Sequence, residues 1–263
     1  MSLDLQQQQA AGQFHRQADR CGKNHLLADA RDVTELLALI PNHAKAGRAL
    51  DVATGGGHTA LALAHAGFTP VIGDLAPAML ENASHLLAAE GFTAEASIFP
   101  AEEIPFPRDS FELVSCRVAP HHFSDVPAFI RESHRVLKPG GYLMIIDGSV
   151  PDADPETADW LHRVEKLRDP SHGRLLDRIT WTHLVKSAGF TLQHCDLQPM
   201  HQPDLEWYFQ AADTPEANRQ EVRRLVRDAS PHVREAMQLQ TDEGIVRWTW
   251  QRISLLAVKC PPR

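Results

Sequence analysis

The sequence predicts an α/β fold in which a mainly parallel β-sheet is covered by helices on both faces. Short apolar runs alternate with segments of helical length along residues 49–197, which is the pattern of parallel strands joined by crossover helices. A glycine-rich turn stands between the first predicted strand and the first crossover helix. The chain has 263 residues, which is enough for one sizeable core with insertions.

The predicted elements follow in chain order. Residues 1–12 are expected to be flexible, and residues 13–40 are expected to be helical, because apolar residues recur there at helical spacing before Pro41. The predicted strands cover residues 49–53, 70–73, 94–98, 111–117, 142–147, 190–197 and 251–258. The predicted helices after the first strand cover residues 58–66, 77–91, 125–137, 155–167, 180–188 and 215–228.

Composition excludes several classes of partner. The chain has 26 Lys and Arg against 34 Asp and Glu, a formal net charge of −8, and no long basic stretch, which disfavours a nucleic-acid partner. No run approaches the roughly 18 apolar residues that a membrane span needs, and the Gln-rich N-terminus lacks the apolar region of a signal peptide. The four cysteines have neither paired nor zinc-binding spacing. We therefore expect a cytoplasmic protein with a small-molecule partner and no bound metal.

The glycine-rich turn predicts a ligand site. From Asp51 onward the chain reads Asp-Val-Ala-Thr-Gly-Gly-Gly-His, so the backbone can turn sharply and a ligand can approach it closely. The N–H groups at the start of the next helix can meet polar ligand groups. Gly55 and Gly57, with Asp74 further along, also satisfy the loose dinucleotide fingerprint. Asp51, four residues before Gly55 and within the strand, favours instead a ligand with an amino-acid end and a nearby positive charge.

Four segments together resemble the class I S-adenosylmethionine-dependent methyltransferases. They are LDVATGGGH at residues 50–58, GDLAPAML at 73–80, AEEIPF at 101–106 and RVLKPGG at 135–141. Their order and spacing are specific for this superfamily, and they resemble most the branch that includes the ubiquinone/menaquinone biosynthesis C-methyltransferases. They carry little information about the methyl acceptor.

The resemblance implies a set of contacts with S-adenosylmethionine. Asp51, Gly55 and Gly57 would surround the methionine part, and Asp74 would accept hydrogen bonds from both ribose hydroxyls. The other implied contacts are Leu75 and Met79 near the adenine, Ala101 and Glu102 along its edge, and Cys116 and Arg117 at the methyl-transfer opening. Family members often have an Asp immediately before the Ala-Glu pair, where this chain has Pro100. The adenine contact would then rest on backbone groups or on Glu102.

The resemblance also implies the architecture. It predicts a single domain over residues 1–263 with a Rossmann-like seven-stranded sheet in the order 3-2-1-4-5-7-6, in which the seventh strand is antiparallel. Residues 1–45 would form an N-terminal helical cap and residues 46–150 the cofactor-binding core. Residues 151–178 and 200–250 would be helical lid insertions that build the acceptor pocket.

Two segments at the expected ligand edge carry candidate catalytic residues. His121 and His122 follow the fourth strand, at the carboxyl edge where open α/β sheets bind ligands, and histidine titrates near neutral pH. The alternative is that they fix the loop or cap the next helix. Asp169 and His172, next to Arg168, follow the fifth strand and could bind a polar acceptor or act as a base. Their alternative is a local turn with a surface ion pair.

The leading functional hypothesis is methyl transfer from S-adenosylmethionine to a small, uncharged or modestly polar molecule, at carbon, oxygen or sulfur. Positioning supplies much of the rate of such an in-line displacement, and a base is needed only if the acceptor must lose a proton. Two alternatives remain open: a nicotinamide-dependent oxidoreductase, and a non-catalytic cofactor-sensing protein with the same fold.

Overall fold

A mixed eight-stranded sheet forms the centre of the computed structural model, which describes residues 3–17 and 26–260. Its strands follow the order β3-β2-β1-β4-β5-β8-β6, and the short β7 pairs with β8. The strands are β1 (Arg48–Val52), β2 (Thr69–Asp74), β3 (Glu95–Ile98), β4 (Phe111–Arg117), β5 (Leu137–Ser149), β6 (Phe190–Gln202), β7 (Gln240–Asp242) and β8 (Ile245–Lys259).

The pairing of the strands confirms the predicted topology. The pairs β1–β2, β1–β4, β2–β3 and β4–β5 are parallel, whereas β8 is antiparallel to both β5 and β6. β8 is therefore the predicted seventh strand, lying between the fifth and sixth. The prediction of seven strands is one short, because β7 forms a hairpin with the start of β8 through a turn at Gly244, which has φ +83°.

Ten helices accompany the sheet in the described part of the chain. They are α1 (Leu5–Gln17), α2 (Arg31–Ala38), α3 (His58–His65), α4 (Pro77–Ala89), α5 (Val126–Val136), α6 (Pro155–Arg168), α7 (Arg178–Ser187), α8 (Leu205–Ala212), α9 (Glu216–Arg227) and α10 (Pro231–Ala236). None of these helices is long and apolar enough to cross a membrane.

The N-terminus differs from its prediction. Residues 1–12 are expected to be flexible, but α1 begins at Leu5. Ala10 is buried, and Phe14, one turn later on the same side of the helix, packs against Ala76 and Met79. The Gln6 and Gln7 side chains donate hydrogen bonds to the body of the protein. The glutamines that suggest a flexible start therefore anchor a helix, and part of the predicted helix (residues 18–25) lies outside the described residues.

The central strands bury side chains on both faces. Leu50 and Val52 of β1 pack in one apolar cluster with Phe111 and Phe129, whereas Ala49, which alternates with them, packs in the cluster on the other face. A third cluster, which we call the insertion core, joins α6, α8, α9, α10 and β8; its members include Leu161, Tyr208, Phe209, Val222 and Trp248. The insertions thus have a core of their own beside the sheet.

Candidate active site

A cavity of about 1040 Å³, including its open mouth, lies at the carboxyl ends of β1, β2 and β4. β1 lies between β2 and β4, where the strand order reverses, and such switch points are where open α/β sheets bind ligands. The floor is the turn after β1, including Thr54 and Gly55. Side chains of α1, including Gln7 and Phe14, form part of the wall.

The glycines of the turn serve two different purposes. Gly55 has φ +53°, and no described atom lies within 4 Å of the position where a Cβ would stand, so its backbone faces open space in the cavity. Gly57 has φ +86°, and a Cβ there would lie 2.7 Å from Cα of Ala83 in α4. Gly57 is not among the described residues that line the cavity. Its lack of a side chain therefore allows α3 to begin against α4.

Asp74, at the end of β2, presents a nearly buried carboxylate to the cavity. Its two oxygens accept hydrogen bonds from the backbone N–H groups of Gly55 (3.0 Å) and Ala76 (2.9 Å). Burial raises the pKa of Asp74, and these backbone hydrogen bonds oppose the shift. Leu75 and Met79 line the adjoining wall, so an acid and an apolar surface are side by side.

Asp51 lies deeper than the turn that it precedes. Its carboxylate is 1% exposed and accepts hydrogen bonds from Thr54 Oγ1 and Ser115 Oγ, both at 2.7 Å. Burial raises the pKa of Asp51 to about 6, against the effect of those hydroxyls. Asp51 is absent from the described cavity lining, whereas Thr54 is present. In this structure Asp51 therefore braces the turn from behind.

Glu102 links the cavity to α1. One carboxylate oxygen accepts from the Ser124 N–H (2.8 Å) and the Ser124 hydroxyl (2.9 Å), and the other accepts from Gln7 Nε2 at 3.1 Å. Ala101 and Phe99 line the cavity beside it. Because both oxygens have partners, the carboxylate of Glu102 already holds α1 against the loop that follows β4.

The two residues at the end of β4 have different surroundings. The guanidinium of Arg117 donates to the carbonyl oxygens of Leu27 (2.8 Å) and Asp29 (2.6 Å) and forms an ion pair with Asp32 at 2.9 Å. It thus anchors the segment before α2 while lining the cavity. Cys116 is 1% exposed in the apolar core and is not among the described lining residues; burial raises the pKa of its thiol well above the usual value.

His121 is paired with a buried acid. Its Nδ1 lies 2.6 Å from Asp147 Oδ1, and its backbone N–H donates to Asp147 Oδ2 at 3.0 Å. Burial acts to lower the pKa of His121, but the negative charge and hydrogen bond of Asp147 outweigh it, so the pKa is raised. The buried pair carries a proton more readily than a free histidine does.

His122 lines the cavity and stays neutral. Burial, followed by the neighbouring His121, lowers the pKa of His122 to about 3; the two ring centroids are 4.1 Å apart. Its Nδ1 contacts the carbonyl oxygen and the hydroxyl of Ser171, at 3.0 and 3.1 Å. The Phe14 ring packs perpendicular to it, with 4.9 Å between the ring centroids.

The structure brings the four candidate catalytic residues into one buried group. Asp169 accepts the hydrogen bond of the Ser171 hydroxyl at 2.6 Å, and the His172 ring lies 5.5 Å from that of His121. Burial and the adjacent histidines lower the pKa of His172. Asp169 and His172 are buried rather than part of a surface ion pair, and the ion-pair partner of Arg168 is Glu165. Of the four, only His122 is among the described residues that line the cavity.

Three contributors are missing from the sequence-based set of site residues. α1 supplies Gln7 and Phe14, and the spacing of Ala10 and Phe14 by four residues was the available signal. Asp147 stands at the end of a predicted strand, as Asp74 does, so its position already indicated the ligand edge. Ser171 lies between the candidate residues Asp169 and His172. In the described part of the chain, no group of three or more His, Cys, Asp or Glu side chains is arranged to hold a metal ion.

Comparison with known proteins gives a consistent result. Residues 50–145 match the family model of the methyltransferase domain. The uncharacterized methyltransferase YcgJ of Bacillus subtilis (strain 168) is 32% identical over 196 residues, which cover 72% of this chain and 74% of YcgJ. The ubiquinone/menaquinone biosynthesis C-methyltransferase UbiE of Geotalea daltonii is 35% identical over 116 residues, or 41% of this chain and 48% of UbiE.

A solved structure agrees with the sequence relatives. A Bacillus halodurans C-125 protein assigned to the methyltransferases superposes with a TM-score of 0.82 and 28% identity, over 89% of this chain and 99% of that protein. The similarity therefore extends well beyond residues 50–145. The cavity lies at the switch point of the sheet, and the chain matches YcgJ over nearly three quarters of that protein's length. The chain therefore belongs to the class I, S-adenosylmethionine-dependent methyltransferase family.

Proposed function

We propose that the protein binds S-adenosylmethionine in the cavity and transfers its methyl group to a small, uncharged acceptor that lies beside His122. The acceptor atom is a carbon, oxygen or sulfur nucleophile. The observation that carries the proposal is the cavity itself, which is lined both by the buried carboxylate of Asp74 and by the neutral imidazole of His122. We call the lining around Asp74 the Asp74 end and the lining around His122 the His122 end.

The residues at the Asp74 end fit the cofactor. Asp74 has one backbone donor on each oxygen, and a carboxylate oxygen has room for further donors, such as ribose hydroxyls. Leu75, Met79 and Phe99 offer an apolar wall for a flat base. At Gly55 an added Cβ would point into open space, so the backbone can approach the ligand closely. When bound, the cofactor supplies an electrophilic methyl group on a positively charged sulfur.

The residues at the His122 end favour an uncharged acceptor. Val118, Ala119 and Phe123 line this end beside Phe14, which gives a mainly apolar surface. The guanidinium of Arg117 is occupied by two carbonyl oxygens and Asp32, so it is not available to an anionic acceptor. A neutral His122 adds no positive charge beside the sulfonium, which a protonated imidazole would repel.

A weakly basic imidazole is sufficient for this reaction. A hydroxyl, thiol or aromatic carbon becomes strongly acidic as it gains a methyl group, so even a histidine with a lowered pKa can accept the released proton. His122 remains neutral throughout the physiological range because of its lowered pKa. We propose Asp169, His121 and His172 as its supporting residues. We also propose that residues 151–178 and 200–250 build the acceptor side from behind this buried group, because no described residue of either segment lines the cavity itself.

The test separates the three functional hypotheses. Isothermal titration calorimetry of the wild-type protein with S-adenosylhomocysteine, NAD⁺ and NADH should show binding of the first alone. Transfer of labelled methyl from S-adenosylmethionine to a panel of phenols, quinols, thiols and carboxylic acids should then give turnover with an uncharged member. Binding of NADH in place of S-adenosylhomocysteine would support the oxidoreductase hypothesis. Tight binding of S-adenosylhomocysteine without turnover on any acceptor would favour the cofactor-sensing protein.

A further inference from the structure

A chain of hydrogen bonds lies behind His122, on the side away from the cavity. Nδ1 of His122 faces the carbonyl oxygen of Ser171 at 3.0 Å and its hydroxyl oxygen at 3.1 Å. The Ser171 hydroxyl is 2.6 Å from Asp169 Oδ1, and the Ser171 N–H donates to the same oxygen at 2.8 Å. Asp169 and Ser171 are 6% and 1% exposed, so solvent does not compete for these bonds.

The direction of each bond follows from the chemistry of its partners. Burial acts to raise the pKa of Asp169, but hydrogen bonds from the Ser171 hydroxyl and N–H are among the effects that outweigh it, so the pKa is lowered and Asp169 is an anion that only accepts. The single hydroxyl proton of Ser171 is therefore donated to Asp169. A carbonyl oxygen also only accepts, so Nδ1 of His122 carries the proton that points at Ser171.

This arrangement assigns the tautomer of His122. With the proton on Nδ1, a neutral imidazole has its lone pair on Nε2. The ring lines the cavity, and Nδ1 is engaged with Ser171, so Nε2 is the nitrogen left for a ligand. The titratable and charged groups that act on the ring are His121, Asp169 and Arg168, and the imidazole stays neutral among them.

We infer that Ser171 is a positioning residue which, with Asp169, holds His122 in the Nδ1–H form so that Nε2 can accept the proton of the methyl acceptor. The inference rests on the proposed function. As the bond from the acceptor atom to the methyl carbon forms, the sulfur–carbon bond breaks and its electron pair stays on sulfur. The acceptor's proton passes to Nε2, and the positive charge that leaves sulfur then resides on the imidazolium. Through Ser171, the Asp169 carboxylate stabilises that charge.

The local sequence explains why these groups are held in register. Asp169 ends α6 and its side chain accepts from the N–H two residues later, which forms a tight turn around Pro170. The carbonyl of Ser171 also accepts from Gln6 Nε2, so the same oxygen is tied to α1. Because Gln6 competes for this carbonyl, the hydroxyl of Ser171 is the second acceptor that keeps the proton on Nδ1.

Histidine tautomers can be read directly by ¹⁵N NMR of histidine-labelled protein, with His122→Gln to assign the signals. We expect the wild-type protein to show His122 with a protonated Nδ1 and an unprotonated Nε2. Ser171→Ala should produce a mixture of both tautomers, Ser171→Thr should restore the wild-type signal, and Asp169→Asn should shift the Nδ1 resonance. Ser110→Ala is the matched control, because its hydroxyl donates to the carbonyl oxygen of the neighbouring Pro107, and it should leave the spectrum unchanged.

Two results would overturn the inference. One is a wild-type His122 with its proton on Nε2, and the other is a Ser171→Ala spectrum identical to that of the wild type in a folded protein. If Ser171→Ala does not fold, Asp169→Asn tests the same chain with a smaller change, and an unshifted His122 Nδ1 resonance in that variant would overturn the inference. Affinity for S-adenosylhomocysteine, measured on the same samples, is an independent readout. If the wild-type protein does not bind S-adenosylhomocysteine, the proposed function is refuted. If it binds normally but His122 carries its proton on Nε2, only the role of Ser171 is refuted.

Discussion

The two ends of the cavity are built in different ways. At the Asp74 end, the groups that face the cavity are backbone atoms and side chains of two consecutive strand–turn–helix units, β1–α3 and β2–α4, such as Gly55, Asp74 and Met79. At the His122 end, the important contacts join side chains from segments far apart in the chain: His121 to Asp147, and His122 to Ser171 and Asp169. The first end depends on the path of the backbone, and the second on a buried network of polar side chains.

This difference has consequences for mutation. A backbone-built site is sensitive to added atoms at glycines and tolerant of changes in most side chains. A buried polar network is sensitive to the loss of any one partner, because an unsatisfied buried polar group costs about 1–3 kcal/mol.

The largest expected effect is at Gly57. Gly57→Val adds a branched side chain at φ +86° and 2.7 Å from Cα of Ala83, so strain and overpacking should lower the free energy of unfolding by about 3–5 kcal/mol. Gly55→Ala is the matched variant, because it adds a side chain in open space at φ +53°. It should cost only about 1 kcal/mol of stability but weaken S-adenosylhomocysteine binding at least tenfold. Urea denaturation and calorimetry measure both, and equal stability of the two variants would contradict the division of roles.

The next largest effect is expected when the negative charge at the Asp74 end is removed. Asp74→Asn retains an oxygen for one of its backbone donors but loses the negative charge. Affinity for S-adenosylhomocysteine should fall by about 10- to 100-fold, corresponding to about 1.5–3 kcal/mol for hydrogen bonds to a charged group. Asp177→Asn, at the N-cap of α7, serves as the control because it removes an acid that accepts from the Thr180 N–H away from the cavity. Unchanged affinity in Asp74→Asn would remove Asp74 from the cofactor site.

The same contrast explains how far sequence reasoning reached. The order of the strands and the position of Asp74 could be predicted, because a turn, a strand end and a helix start are signalled within a few neighbouring residues. The α1 helix was not predicted although Ala10 and Phe14 have helical spacing, because its Gln-rich composition is typical of flexible termini and it is held by contacts with distant groups such as Glu102. Asp147 and Ser171 were missed for the same reason: their importance depends on which side chain lies opposite in the folded chain.

The histidine end should be recognised by its response to acid. The pKa of His122 is lowered to about 3 in the folded protein, and its unfolded pKa is about 6.5. The unfolded state therefore binds more protons below pH 6.5, so this residue destabilises the protein as pH falls from about 6.5 toward 3. As pH falls, the free energy of unfolding of His122→Gln should therefore decrease by up to about 1 kcal/mol less per pH unit than that of the wild type.

Urea denaturation of wild type, His122→Gln and the exposed-site control His85→Gln at pH 7, 6, 5 and 4 measures this slope. The wild type and His85→Gln should lose stability in parallel as pH falls. His122→Gln should be less stable than both at pH 7 and approach or exceed them at pH 4. Parallel curves for all three proteins would show that His122 is not held neutral by its surroundings.

The smallest expected effect is at Gln7, which lies where the two ends of the cavity meet the α1 helix. Its Nε2 donates to Glu102 at 3.1 Å, while the neighbouring Gln6 donates to the His122 and Ser171 carbonyl oxygens. If α1 must be seated for the cofactor to be enclosed, Gln7→Ala lowers the fraction of protein in the closed form, and the apparent dissociation constant rises by the same factor. One partly exposed hydrogen bond to a carboxylate contributes about 1 kcal/mol, or about a fivefold change in the dissociation constant.

Gln9→Ala is the control, since it removes the same amide from an exposed position of the same helix. Stopped-flow measurement should show the loss in the dissociation rate of S-adenosylhomocysteine, because an unseated helix releases the ligand faster. Equal dissociation rates for the Gln7 and Gln9 variants would mean that α1 covers the cavity without helping to retain its ligand, and the two ends would then be independent.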